Sequence, residues 1–525
     1  MDLQSSRKLI CLTRFSPGFG PPCLRPASAP EPLKSESFTR GEMKQLRCLV
    51  FAIVLGSILT LGAADTVSPL VEAVKAGNAQ RVRALLKQGT NVNATEPDAM
   101  TALHWAVRVN DSETVRLLLR AGANAKAANR YGVTPLTLAA INGNASLIES
   151  LIKAGGDPNT ATPEGETVLM TAARTGKPDA LKVLVTHGAN VNATEKWQGQ
   201  TALMWAAAEN NAAAIRVLME AGADPNIHSN VWNFPEYRYE TNGMAVFQLP
   251  RGGWTALMYA ARQNAKEAAA ALADLKADLN AVDADGTTAL HLAIINVHYD
   301  LASLLLKKGA DPDIPDVTGM TPLYAAVDMR SPAGMMTRPN PKISDQDELD
   351  ALGIIRVLLE HGANGNIALK KPIIGRHNNL TGDTSLGEGA TPLARAAKTN
   401  DHPVLRLLLE HGADPTLTLK DRTTTTMIAS SVEAIQLLVE HGVDVNAFNT
   451  NGQTLLHNAA ARGANPIIKY LAQAGAKLDR KDKQGRTPLD IARGAGSGGG
   501  RGGRGGGGRV NEATVALLEE LMARK

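Results

Sequence analysis

The feature that most constrains this chain is its internal self-similarity. The segment TALHWAV at Thr101 recurs as TPLTLAA at Thr134, TVLMTAA at Thr167, TALMWAA at Thr201 and TALMYAA at Thr255. It continues as TALHLAI at Thr288, TPLYAAV at Thr321, TPLARAA at Thr391, TLLHNAA at Thr454 and TPLDIAR at Thr487, most intervals being 33 residues. A second motif follows each, such as RLLLRAGAN ending at Asn124 and KVLVTHGAN ending at Asn190. A fixed period of this size predicts a stack of small units. Each is unable to bury its apolar face alone, and each packs only on its neighbours. A chain of 525 residues then needs no single large core.

The residue types say what each unit is. Thr is a helix N-cap, and Pro135, Pro322, Pro392 and Pro488 occupy the first helical position, where a missing N–H costs nothing. Leu and the paired alanines form one apolar face. The second helix carries a Leu/Val/Ile ridge and stops at a glycine suited to the left-handed conformation, as at Gly122, Gly188, Gly222, Gly309 and Gly412. Polar turns such as Asp285-Gly286 and Asn451-Gly452 follow, the signal of a tight hairpin. Two departures predict soft points. Lys276 stands at the glycine position of the sixth unit, and the tenth unit is short in the turn IASSVEA. Apolar content of 44% with only 4% aromatics agrees with an Ala/Leu-rich helical chain.

Period, cap, proline, alanine pair and terminal glycine together resemble the ankyrin-repeat family. The likeness runs from about Val67 to the C-terminus and implies an all-α solenoid: a stack of helix pairs with short β-hairpin fingers, about twelve units in residues 66–525. It also implies a scaffold that binds a protein or peptide through its fingers and concave helix face, without catalysis and without cofactors.

The N-terminus reads differently. Residues 1–42 are basic and rich in Pro and Ser, an unstructured leader that is untranslated if synthesis starts at Met43. Residues 43–64 follow a signal-peptide plan: Lys44 and Arg47, an apolar run from Leu49 to Leu61, then Gly62-Ala63-Ala64. The expectation is an exported bacterial protein, periplasmic or secreted, monomeric and with no membrane span after cleavage. The alternatives are an anchor through residues 49–64 or a cytoplasmic or membrane-tethered scaffold. All three cysteines (Cys11, Cys23 and Cys48) lie in this segment, so the remainder has no thiol chemistry. Residues 1–64 carry eight Lys/Arg against four Asp/Glu, leaving 47 of each in the rest. A neutral body offers no general attraction for nucleic acid or anionic lipid.

Individual character lies in the interruptions at 229–254, 330–350, 366–390 and 494–510. The first lengthens a finger and holds Trp232, Phe234, Tyr237, Tyr239, Phe247 and Trp254, six of the fifteen aromatics after residue 64, beside Arg238 and Arg251. Such a cluster fits a binding hot spot; the competing reading is that these rings fasten the finger to its neighbours. The second lies on the edge opposite the fingers. The third is another long finger and brings Arg376, His377 and Asn378, a set suited to a carboxylate or phosphate; a solvated loop is the bland reading. Together the two long fingers are expected to wall a pocket over the seventh and eighth units. The last, SGGGRGGRGGGGR, is a linker before a capping helix, with RNA binding as the competing reading. Trp105, Trp205 and Tyr259 face the concave side or pack the core.

The histidines argue against an enzyme. His104, His291 and His457 fill the fourth position of the first motif, and His187, His361, His411 and His441 precede the helix-ending glycine. Only His228, His298, His377 and His402 have no place in the repeat, and they are scattered. There is no HExxH, phosphate loop or GxSxG. A hydrolase-like activity between the long fingers is the second alternative to the binding scaffold.

Overall fold

The computed structural model describes residues 68–232, 251–330, 347–371, 386–494 and 511–524. The chain divides into Met1–Thr66 and Val67–Lys525, and only the second unit is described below. Among the described residues are 24 helices arranged as twelve consecutive pairs, together with one two-stranded ribbon.

The second pair shows how each is built. Thr101 is extended (φ −103°, ψ 169°) and its hydroxyl accepts from the His104 N–H, opening the helix Ala102–Arg108. Asp111 accepts from Glu113 and Thr114 and opens the second helix, Ser112–Arg120. Helices of seven to nine residues, well below the ~12–15 that an isolated helix needs in water, hold only because they are packed. The packing is continuous. Leu103, Ala106, Val107, Val115 and Leu118 are fully buried, and so are their counterparts Leu257, Ala260, Ala261 and Leu272. Alanine at the paired positions lets successive first helices approach closely.

The left-handed helix ends are all present, from Gly122 (φ 85°) to Gly475 (φ 86°). Lys276 adopts the same conformation (φ 67°). A Cβ at Gly122, Gly222 or Gly309 would meet nothing within 4 Å. The cost at Lys276 is therefore conformational rather than steric, roughly 1–2 kcal/mol. Val297, in the turn between the helices of the seventh unit, is also left-handed (φ 57°) and is buried, a position held elsewhere by Gly143, Gly176 or Asn210.

In the tenth unit the first helix shrinks to Thr425–Ile428 and Ala429 is already extended. Asn400 of the preceding unit replaces the missing turn. Its Oδ1 accepts from the N–H groups of Ser430 and Ser431 at 3.0 and 2.9 Å, and its Nδ2 donates to Ser430 Oγ at 2.7 Å. The chain returning from the 330–350 interruption is pinned similarly. Asp300 accepts from Glu348 N and Leu349 N, while Lys266 Nζ lies 3.1 Å from Asp300 and 2.7 Å from Asp347.

Candidate partner-binding face

Three sets of inter-unit bonds fix the fingers relative to one another. At the base, an Asn or Asp side chain of one finger accepts from a backbone N–H of the next: Asn93 from Asn124, Asn192 from Asp224, Asn280 from Asp311 and Asn366 from Asp414, at 2.7–2.9 Å. At the tips, backbone alone makes the rung. Arg130 N donates to Asp98 O, Lys196 N to Glu164 O, Asn230 N to Gln198 O and Val317 N to Asp285 O. Pro163, with no N–H, cannot make one toward the second finger. The third set is the histidines. His104 Nδ1 accepts from Thr101 N at 3.2 Å, so its proton sits on Nε2 and is donated to Val133 O of the next unit at 3.1 Å. His291 and His457 repeat this onto Met320 O and Arg486 O. Burial holds His104 and His457 below the ordinary imidazole pKa, because the charged ring would lose its water.

The remaining histidines are ties as well. His187, His361, His411 and His441 each donate from Nδ1 to the carbonyl four residues earlier, closing the end of a second helix. His228 donates to Gly253 O at 2.7 Å, His298 to Arg262 O at 3.1 Å, and His402 bonds Ser431 Oγ at 2.9 Å. His377 lies outside the described residues. The same holds for Phe234, Tyr237, Arg238, Tyr239, Phe247, Arg376 and Asn378, and with them the pocket expected between the long fingers.

Three residues of the first long finger can be placed. Its base is an antiparallel ribbon, Val231–Trp232 (β1) against Arg251–Gly252 (β2), with Trp232 opposite Arg251. Trp232 is 45% exposed. Trp254 is not free in that way. Its indole N–H donates to Asp283 at 3.1 Å, its ring meets Tyr259 edge-on at 5.4 Å, and the Arg262 guanidinium lies 5.1 Å above it. Trp105, packed against the core, is bound likewise, its N–H on Glu96 at 2.6 Å and its ring under Lys75 and Arg108. Trp205 lies 5.0 Å from Arg174, with its buried N–H unpaired.

Sequence reasoning missed two residues. Tyr131 and Trp197 are both 57% exposed, each at a fingertip, one and two residues before the left-handed glycines Gly132 and Gly199. With Trp232 they place three open rings on the second, fourth and fifth fingers. At the roughly 10 Å spacing of packed helices this row spans about 30 Å. The available signal was an aromatic inside a short turn segment (NRYG, EKWQG), where packing does not call for one.

Comparison with known proteins agrees with this architecture. Ankyrin-repeat profiles match residues 70–162, 136–229, 240–316, 279–335, 349–449 and 438–492. The mouse B-cell lymphoma 3 protein homolog is 30% identical over 211 residues, covering 39% of this chain and 40% of that protein. The Xenopus tropicalis neurogenic locus notch homolog protein 1 is 28% identical over 274 residues, 49% of this chain and 8% of its own length. Rat diacylglycerol kinase zeta is 36% identical over 124 residues, 22% of this chain and 13% of the kinase. The chain thus spans less than half of each of these relatives. Over most of its length, this chain belongs to the ankyrin-repeat family.

Proposed function

We propose that the array binds a partner protein along the fingertips of its second to fifth units, with the first long finger completing the contact. Ankyrin repeats are protein-binding scaffolds and the family is generally non-catalytic. The observation that carries the finer reading is the row Tyr131, Trp197 and Trp232. Aromatics are the side chains that most often anchor interfaces, and these three are the exposed aromatic rings of the described fingertips and finger base. Phe234, Tyr237, Arg238, Tyr239, Phe247 and Arg251 extend the same finger and belong to the proposal, as do Arg376, His377 and Asn378 of the later one.

The partner is sought in the periplasm or cell envelope, because residues 43–64 follow the charged, apolar and small-residue plan of an export signal. Among the described residues no helix is long and apolar enough to cross a membrane. The test is capture from a cell-envelope extract by the intact protein and by a Tyr131→Ser/Trp197→Ser/Trp232→Ser variant. A protein retained by the first and lost from the second places binding on the fingertips. Equal capture by both removes it from there. Cell fractionation with mass spectrometry of the N-terminus decides the location: a chain beginning at Asp65 in the envelope fraction supports export, and an intact leader in the cytosolic fraction overturns it.

A further inference from the structure

The last fingers carry a second, chemically different feature. Eight described fingertips turn at a left-handed glycine, among them Gly132, Gly286, Gly319, Gly452 and Gly485, whereas the first turns at Ala99 with φ 64° and the ninth at Arg422 with φ 63°. A residue with a side chain is strained there by about 1–2 kcal/mol. The Arg422 guanidinium lies 5.0 Å from the centre of the Phe448 ring on the tenth finger. Arg480, on the eleventh, lies 4.2 Å from the same centre.

Two cations thus share one ring and lie no more than 9.2 Å apart. Among the described residues neither has a carboxylate within ion-pairing distance, in contrast to Arg486 on Asp482 at 2.7 Å or Lys420 on Glu388 at 2.6 Å. Arg480 uses one N–H, on Asn446 O at 3.3 Å. The nearby acids are engaged locally, Asp421 by Thr423 and Asp444 by Asn446 N, and Asp479 precedes Arg480 in sequence. Stacking on an aromatic face satisfies a guanidinium's plane and leaves its N–H edge free for a carboxylate. Phe448 therefore holds two like charges in place that only an anion can bridge.

We propose that Arg422 and Arg480, stacked on Phe448, form a two-point carboxylate clamp for an acidic, extended segment of a partner protein. Side chains at i and i+2 of an extended strand lie about 7 Å apart on one face, within the span available here. The recognised pattern is an acidic residue at every second position. The proposal rests on the reading of the array as a protein-binding scaffold, but uses residues remote from Tyr131, Trp197 and Trp232.

The experiment is fluorescence anisotropy of a labelled peptide alternating Glu and Ser, titrated with the full chain at low and at physiological salt. Controls are the Gln/Ser peptide and an isomer with the same glutamates in one block. The alternating peptide is expected to bind at least tenfold more tightly than either, and Arg480→Gln to weaken it tenfold. Arg422→Gly is the decisive variant. It is expected to lose the same affinity while melting at or above the parent temperature, because glycine relieves the backbone. The fingertip triple variant is expected to bind the peptide unchanged even where envelope capture fails, which separates this proposal from the first. Binding within twofold of the parent in Arg422→Gly overturns the clamp, as does equal affinity for the Gln peptide. Displacement of the peptide by low-millimolar inorganic phosphate overturns it too, marking an unselective anion site.

Discussion

Trp254 and Trp197 sit on neighbouring parts of one scaffold and meet opposite fates. Trp254 is wedged between Tyr259, Arg262 and Asp283, whereas Trp197 stands open at a fingertip. The difference lies in what the backbone offers each. A ring at the root of a finger lies over the first helices of two units and finds carboxylates and guanidiniums within reach. At the tip, Glu195 shapes the turn, accepting from Trp197 N at 2.6 Å and from Gln200 N at 2.9 Å, and the indole stays 57% exposed. Equal residue types in one array thus divide into fastened rings and exposed rings, and solvent exposure draws the line.

That division can be broken most directly by truncation. Trp254→Ala is expected to lower stability by about 3 kcal/mol in urea unfolding, from lost packing and the lost indole hydrogen bond to Asp283. Trp197→Ala and Tyr131→Ala are each expected within about 0.5 kcal/mol of the parent. A large loss at Trp197 would make the fingertip ring structural and end its role as a contact.

Acid sharpens the comparison. His104 and His457 are buried with lowered pKa values, so folding excludes protons that the unfolded chain binds. Their contribution is complete above the unfolded value of about 6.5 and is lost as pH falls below it toward the lowered folded values. Melting temperature should therefore drop between about pH 6.5 and 5. His104→Asn/His457→Asn should flatten that slope. A slope unchanged in the double variant would assign it to other groups.

Smaller effects are expected where only the backbone is strained. Lys276→Gly should raise stability by about 1 kcal/mol with fingertip binding unaltered, since the helix end carries no contact the partner needs. Trp205→Phe should be neutral or slightly stabilising, because it removes a buried N–H that has no acceptor. A marked loss there would reveal an acceptor that the indole does use. Both are readable in parallel denaturant curves.

Much of the fold was legible because each unit repeats the same local code. Thr101, Thr167 and Thr288 cap helices by the hydroxyl expected of them, and Lys276 takes the conformation its position demands. The short tenth unit was legible too, though not the Asn400 bracket that closes it. Less was legible at the candidate site. The composition of the first long finger drew attention to Trp232 and Trp254 alike, and only three-dimensional neighbours separated the exposed ring from the fastened one. Tyr131 and Trp197 were hidden by the turns that contain them, since turn residues carry no periodic signal.

The sequence by itself determined the period, the handedness of the helix ends and the neutrality of the array, because capping, left-handed φ and charge are properties of single residues and their immediate neighbours. Only the tertiary structure decided which histidines bridge units, which rings stay open and that Arg422 and Arg480 meet over Phe448. Those contacts join residues some thirty positions apart, one period of the stack, and arise only once successive units are laid side by side.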